Sequence, residues 1–187
     1  ILNEHRITKL TKLLKNVDYE LVKGSLDVNI SDVKYDSREV EPGDMYIAKV
    51  GFNSDSHKFI PDAIANGAKV ILIEKDIDIK DDVTVIKVKS ARNAMAEISA
   101  AYFDYPAKEL TIVGITGTAG KTSTSTILKK MLEEDGKKVG LIGTIGAFIG
   151  KRKITLHNTT PENYEIQKLF REMVEEDCKY VVMKVSS

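Results

Sequence analysis

The 187-residue chain has no tryptophan, a single cysteine and four prolines, and its 28 basic residues cancel its 28 acidic ones. Each scarcity excludes something. One cysteine, Cys178, can build neither a disulfide framework nor a cysteine-based metal site. Beside the apolar stretch Tyr180–Val185 it reads as a small buried hydrophobe. A net charge of zero makes no electrostatic case for nucleic acid or an anionic membrane as partner. Lys151-Arg152-Lys153 is the only compact basic cluster, and a solvated turn accounts for it. No apolar run approaches the ~20 residues of a membrane span. The opening ILNEHRITKL lacks the apolar core of a signal peptide. The expectation is a reduced, cytoplasmic setting and a monomer. Hydrophobic and charged contents of 42% and 30% suit a globular protein of one large or two small domains. The last residues, Ser186-Ser187, follow an apolar strand directly, so a fragment of a longer protein is expected.

What the chain does have is Thr111–Thr122, TIVGITGTAGKT. An apolar run (Ile112, Val113, Ile115) enters a glycine-rich turn, then Lys-Thr, then a helical stretch from Ser123 to Glu134. Strand, glycine loop, Lys-Thr and helix is the layout of a phosphate-binding P-loop. Gly117 and Gly120 would let the backbone turn its N–H groups toward an anion, and the helix dipole adds to the same spot. Lys121 can reach terminal phosphates, and the Thr122 hydroxyl can sit on Mg²⁺. The usual G-x-x-x-x-G-K-[ST] pattern wants glycine at position 115, where this chain has Ile115, so the loop is a shorter G-x-x-G-K-T variant. The plain alternative is a glycine-rich turn with no ligand.

The periodicities predict an α/β protein. Helices are expected at Thr8–Lys15, His57–Asn66 with Gly67 as C-cap, and from the N-cap Ser90 to Tyr102 with Met95, Ile98 and Tyr102 buried. Further helices are expected at Lys121–Asp135, burying Ile127, Leu128, Met131 and Leu132, and from Pro161 at the first helical position. The last carries the stripe Ile166, Leu169, Phe170, Met173, Val174. Strands are expected at Val28–Val33, Met45–Val50, Lys69–Glu74, Val83–Val88, Thr111–Thr116, Val139–Thr144 and Tyr180–Val185, with a hairpin over Ala147–Thr155. From residue 111 on, the alternation is the βαβ pattern of a mostly parallel sheet. Ligands then belong beyond the carboxyl ends of the strands, where the loop, Thr144 and Ser186-Ser187 fall. The first ~88 residues form a separate, smaller α/β unit.

Four segments together resemble the Mur ligases, of the MurE type. They are Asp36-Ser37-Arg38-x-Val40-x-Pro42-Gly43-Asp44, then Gly51–His57 (GFNSDSH), then Thr116–Thr122 (TGTAGKT), and finally Asn158-Thr159-Thr160-Pro161-Glu162 with Val185-Ser186-Ser187. The loop alone would fit any Mur ligase or folylpolyglutamate synthetase; the combination points to the MurE type. The resemblance implies an N-terminal UDP-binding domain at 1–88. The first part of a central P-loop ATPase domain would follow at 89–187. It implies ATP-driven addition of the third amino acid, L-lysine or meso-diaminopimelate, to UDP-N-acetylmuramoyl-L-alanyl-D-glutamate through an acyl phosphate. Ser37, Phe52, Asn53 and Ser54 would hold uridine diphosphate. Asn158, Thr159, Thr160 and Ser186 would hold the muramoyl peptide. Gly117, Thr118, Ala119, Gly120, Lys121, Thr122 and Ser123 would hold ATP, with Lys121 catalytic and Thr122 on Mg²⁺.

The plainer readings stand beside these. Ser37 serves as a turn cap, Asp36–Arg38 as a local salt bridge, Thr160-Pro161 as a helix N-cap with proline behind it, and His57 as a surface or capping histidine. Two residues depart from the family pattern: Ala119, where an asparagine is expected, and Lys184, where a magnesium-binding glutamate is expected. An ammonium in place of a carboxylate repels a nearby metal, so these changes are expected to impair the ATP site. Alternatives are a non-catalytic nucleotide- or UDP-sugar-binding paralogue, or a small-molecule kinase using the same loop.

Overall fold

The computed structural model describes residues 6–144, 146–156 and 161–185. The chain divides into two compact units between Tyr102 and Phe103. Among the described residues no helix is long and apolar enough to cross a membrane.

In the first unit, β1 (Thr8–Lys9) runs into α1 (Leu10–Leu13), followed by β2 (Glu20–Lys23), β3 (Asn29–Ile30), β4 (Val33–Lys34) and β5 (Met45–Ile47). Then come α2 (Ile60–Ala65), β6 (Val70–Ile73), β7 (Thr84–Lys87) and α3 (Ala91–Tyr102). The main sheet has the order β2-β7-β6-β5-β4, in which β4 to β7 are mutually parallel and β2 is antiparallel at the edge. The uninterrupted apolar runs of β5 and β6 are buried at every residue, as interior parallel strands require.

The structure moves several boundaries. The predicted helix Thr8–Lys15 begins only at Leu10, because Thr8 and Lys9 pair with Ile30 and Asn29, and the Leu10 N–H donates to the Val28 carbonyl at 2.9 Å. The predicted strand Val28–Val33 is broken in two because its halves pair with different partners: Asn29–Ile30 with Lys9 and Thr8, and Val33–Lys34 with Met45 and Tyr46, with Ser31 N–H bonded to the Gly43 carbonyl between them. The strand Glu20–Lys23 is exposed along three of its four residues, and its adjacent apolar pair Leu21-Val22 gives no alternation from which a strand could be read. The largest shift concerns the division of the chain, expected after residue 88. The helix α3 belongs to the first unit, where it packs against α1. Its Met95, Ile98 and Tyr102 are buried, Ser90 Oγ caps it by accepting from Asn93 N–H at 3.2 Å, and the Tyr102 hydroxyl donates to Ser31 O at 2.8 Å.

The second unit contains β8 (Thr111–Ile115), α4 (Lys121–Glu134), β9 (Val139–Gly143), β10 (Gly146–Ile149), β11 (Arg152–Ile154), α5 (Asn163–Glu175) and β12 (Tyr180–Lys184). Its sheet has the order β11-β10-β9-β12-β8. The strands β8, β12 and β9 are parallel, and β10 and β11 form the antiparallel hairpin expected around Gly150-Lys151. Strand residues alternate between two cores. Leu141 and Val182 pack with Leu128 and Leu132 of α4, whereas Ile142 and Val181 pack with Leu169, Phe170 and Met173 of α5. Cys178 lies in the second cluster, and burial pushes its thiol pKa up. Only one stripe of α4 faces the sheet, so Ile127 and Met131, expected to be buried, are exposed. Pro161 precedes α5 rather than opening it; Glu162 is the N-cap.

One buried pair fixes the turn that ends in Pro42-Gly43-Asp44. The Asp44 carboxylate, almost fully buried, accepts from Lys34 Nζ at 2.9 Å and from the Glu41 N–H at 2.8 Å. Burial pulls the Lys34 pKa down, but the Asp44 hydrogen bond and the charges of Asp32 and Asp44 outweigh it and leave it raised. Removing Asp44 leaves Lys34 paired only with Asp32, at 3.2 Å, and the Glu41 N–H without its acceptor, a cost of about 1–3 kcal/mol. Asp44→Ala should therefore lower the denaturant midpoint of the first unit by that measure. Asp76→Ala, which removes the exposed partner of Lys87, should leave the midpoint unchanged.

Candidate phosphate-binding site

The loop 116–120 leaves the carboxyl end of β8 and feeds α4. Gly117 and Gly120 have φ of +145° and +77°, in the region that favours glycine. A Cβ on Gly120 would meet nothing within 4 Å, so the demand there is on backbone conformation and not on space. Thr118, Ala119, Gly120, Thr122 and Ser123 are exposed. The N–H groups of a helix's first turn have no partner within the helix. Here they project beside an exposed glycine loop, where the dipole of a 14-residue helix favours an anion. Lys121 Nζ folds across the loop and donates to the Gly117 carbonyl.

Strand order determines what else reaches this point. Because β12 lies between β8 and β9, its last residue, Lys184, emerges between the loop and Thr144. Lys184 Nζ donates to Thr122 Oγ1 at 2.7 Å and to Thr144 Oγ1 at 2.9 Å. The sequence places Thr144 and the loop at strand ends, but the bridge between them depends on the position of β12, which no local pattern encodes. Among the described residues, no group of three or more His, Cys, Asp or Glu side chains could hold a metal ion. The Thr122 hydroxyl, the expected magnesium ligand, already accepts from an ammonium. The described residues here do not fit a divalent cation.

The other sequence-selected residues lie in the first unit. Ser37 and the Phe52–Ser54 loop follow β4 and β5, adjacent parallel strands, and so leave the same end of the sheet. Ser37 is buried in a 3₁₀ turn, where its carbonyl accepts from Asn66 Nδ2 at 2.9 Å. Asp36 caps that turn and holds Arg38 through two bonds, Nε–Oδ1 at 3.0 Å and Nη2–Oδ2 at 2.7 Å: the local salt bridge. Phe52 is fully exposed, and Asn53 and Ser54 are exposed, on a loop closed by the Gly51 N–H to the Ser54 carbonyl at 2.7 Å. Asn158, Thr159, Thr160 and Ser186 lie outside the described residues.

His57 is neither surface nor merely capping. It is buried; Nδ1 meets Asp55 Oδ1 at 2.7 Å and Nε2 accepts from the Glu74 N–H at 3.1 Å. Both ring nitrogens are occupied, so the ring braces the base of the Phe52 loop. The Asp-x-His spacing is the available signal. Lys75, and then the His57 N–H, hold the Asp55 carboxyl well below the usual carboxylate range.

A glycine loop that carries a parallel strand into a helix, with lysine and threonine at the helix start, defines a P-loop phosphate-binding domain. The chain belongs to the Mur ligase family. Residues 29–103 match the family described as Mur ligase family, catalytic domain, and residues 115–187 match the Mur ligase middle domain. The chain is 45% identical over 178 residues to the UDP-N-acetylmuramoyl-L-alanyl-D-glutamate--2,6-diaminopimelate ligase of Clostridium perfringens, covering 95% of this chain and 37% of the relative. It is 47% identical over 179 residues to the enzyme of the same name from Caldanaerobacter subterraneus, covering 96% and 37%. The chain thus spans little more than a third of these relatives. A solved structure of a ligase bearing that name shares the fold, with a TM-score of 0.76 at 19% identity over 96% of this chain and 36% of that one. A MurF ligase from Thermotoga maritima in complex with ADP gives a TM-score of 0.53 at 25% identity, covering 83% and 32%.

A depressed carboxyl pKa in the folded state stabilises above the ordinary value of 3.8, and that stability is lost as pH falls through the folded value. Asp55→Asn should lower the melting temperature of the first unit at pH 7. The gap to the wild type should shrink steadily as the pH is taken from 5 toward 2.

Proposed function

We propose that the intact protein is an ATP-dependent ligase of peptidoglycan assembly, working in the cytoplasm. It joins 2,6-diaminopimelate to UDP-N-acetylmuramoyl-L-alanyl-D-glutamate as the third residue of the stem peptide. The observation that carries this reading is one chain with two ligand-facing strand ends of different chemistry: a glycine-loop anion site in the second unit, and an exposed aromatic loop beside a buried serine turn in the first. The names of the relatives favour diaminopimelate over L-lysine as the added amino acid.

In this reading the first-turn N–H groups of α4 and Lys121 hold the polyphosphate of ATP, with Gly117, Thr118, Ala119, Gly120, Thr122 and Ser123 shaping the cradle. Lys121 exchanges the Gly117 carbonyl for phosphate oxygens, a charge-assisted bond for a neutral one. The glutamyl carboxylate oxygen forms a bond to the γ-phosphorus as the β–γ bridging bond breaks, leaving an acyl phosphate and ADP. The incoming amine then attacks the acyl carbon and phosphate departs. Positioning and charge neutralisation supply most of such catalysis. Ser37, Phe52, Asn53 and Ser54 take the uridine diphosphate, with the exposed Phe52 ring as a stacking face for the base. Asn158, Thr159, Thr160 and Ser186 take the muramoyl peptide. A ligase of this class would bring Mg²⁺ with its nucleotide; the described residues around Thr122 do not fit the ion, and no step here is routed through it.

Titration with UDP and with ATP should reveal two independent sites. Stacking on an aromatic ring is worth about 1–3 kcal/mol per base, so Phe52→Ala should weaken UDP by roughly tenfold and leave ATP unchanged. Lys121→Ala should do the reverse. Mutual competition of UDP and ATP for one site would sink the reading. Lys184 favours a second reading, a non-catalytic nucleotide or UDP-sugar binder. Phosphate release by the intact protein, dependent on both the muramoyl dipeptide and diaminopimelate, separates the two.

A further inference from the structure

The phosphate site contains a cation of its own. The Lys184 ammonium is held by two hydroxyls, Thr122 Oγ1 at 2.7 Å and Thr144 Oγ1 at 2.9 Å. An ammonium has three donors, so one remains for a ligand. The aliphatic stem lies along the neighbouring strand: a Cβ on Gly143 would be in ordinary van der Waals contact with Lys184 Cε at 3.4 Å and Cδ at 3.5 Å. Neither Lys184 nor Lys121 has a carboxylate within ion-pair range among the described residues; Lys121 donates to a carbonyl and Lys184 to hydroxyls. Two ammonium groups, each bonded to the loop or to the first turn of α4, therefore border the helix N-terminus with no described acid paired to either. That surplus suits an anion of several charges.

In a P-loop the threonine hydroxyl ordinarily sits on Mg²⁺. Here one of its two lone pairs receives the Lys184 N–H. A magnesium ion at its usual ~2.1 Å from Thr122 Oγ1 would lie within about 5 Å of Nζ and meet its charge. We propose that Lys184 stands in for the metal: the loop binds the polyphosphate of a nucleoside di- or triphosphate free of divalent cation, with the ammonium bridging Thr122, Thr144 and a phosphate oxygen. The proposal rests on the phosphate-site reading above and adds the form of nucleotide the site accepts.

Calorimetric titration of the full chain with ATP, in excess EDTA and in excess Mg²⁺, tests it. The wild type should bind at least as tightly in EDTA as in Mg²⁺, where the ion competes with Lys184 for the phosphate oxygens. Lys184→Met should weaken binding in EDTA by about tenfold, the loss of one charge-assisted hydrogen bond. Lys184→Glu should bind poorly in EDTA and recover in Mg²⁺. A tenfold or greater tightening of the wild type by Mg²⁺ would overturn the stand-in role while leaving the phosphate site intact. No ATP binding by the wild type in either buffer would overturn the stand-in role and the phosphate site together. The wild-type comparison needs no variant to fold.

Discussion

The parallel pairing of β12 with both β8 and β9 is the constraint on which the second unit depends. β12 is the last strand in the sequence and the central one of the parallel trio. Placing it there buries Val181 against one helix and Val182 against the other, so both cores close on the same strand. It also sets the register that brings Met183 opposite Gly114 and Lys184 opposite Ile115, the residue from which the glycine loop departs. A slip of one residue would exchange the two cores and turn Lys184 to the other face. Packing and site chemistry are therefore one specification.

In the first unit the same division of labour takes another form. Its parallel strands are too short to position a loop by themselves, so side chains do it. Asp44 ties the turn after β4, and Asp55, His57 and Tyr46 hold the chain after β5, the Tyr46 hydroxyl donating to the Ser56 carbonyl at 2.9 Å. Above this bracing Phe52 projects without packing of its own. The residues that look most chemical in this region, a histidine and an aspartate in hydrogen-bond contact, are the scaffold, and the exposed phenylalanine and amides are what a ligand would meet.

How much of this is legible in sequence depends on the range of the interactions. The glycine loop, α3 and α5 are readable because capping residues and apolar periodicity act over a few positions. Ser90, Met95, Ile98 and the Leu169–Met173 stripe all fall where those rules place them. The first thirty-five residues are poorly readable because their backbone groups bond to distant partners: Thr8 to Ile30, Ser31 to Gly43. A boundary at residue 88 assumes that a helix belongs with the strand after it, whereas α3 is held by α1 and Ser31. The departure at Lys184 is visible as a residue type, but its attachment to Thr144 requires the strand order. His57 reads differently in sequence and in structure because burial, and not identity, decides what a histidine does.

The outer rim of the second sheet has a practical consequence. β8 ends the strand order, Thr111, Ile112 and Gly114 on it are exposed, and the helix behind it turns Ile127 and Met131 to solvent. Among the described residues no strand pairs with the outer side of β8, and a ladder left open near bare aliphatic side chains offers a template to an extended chain.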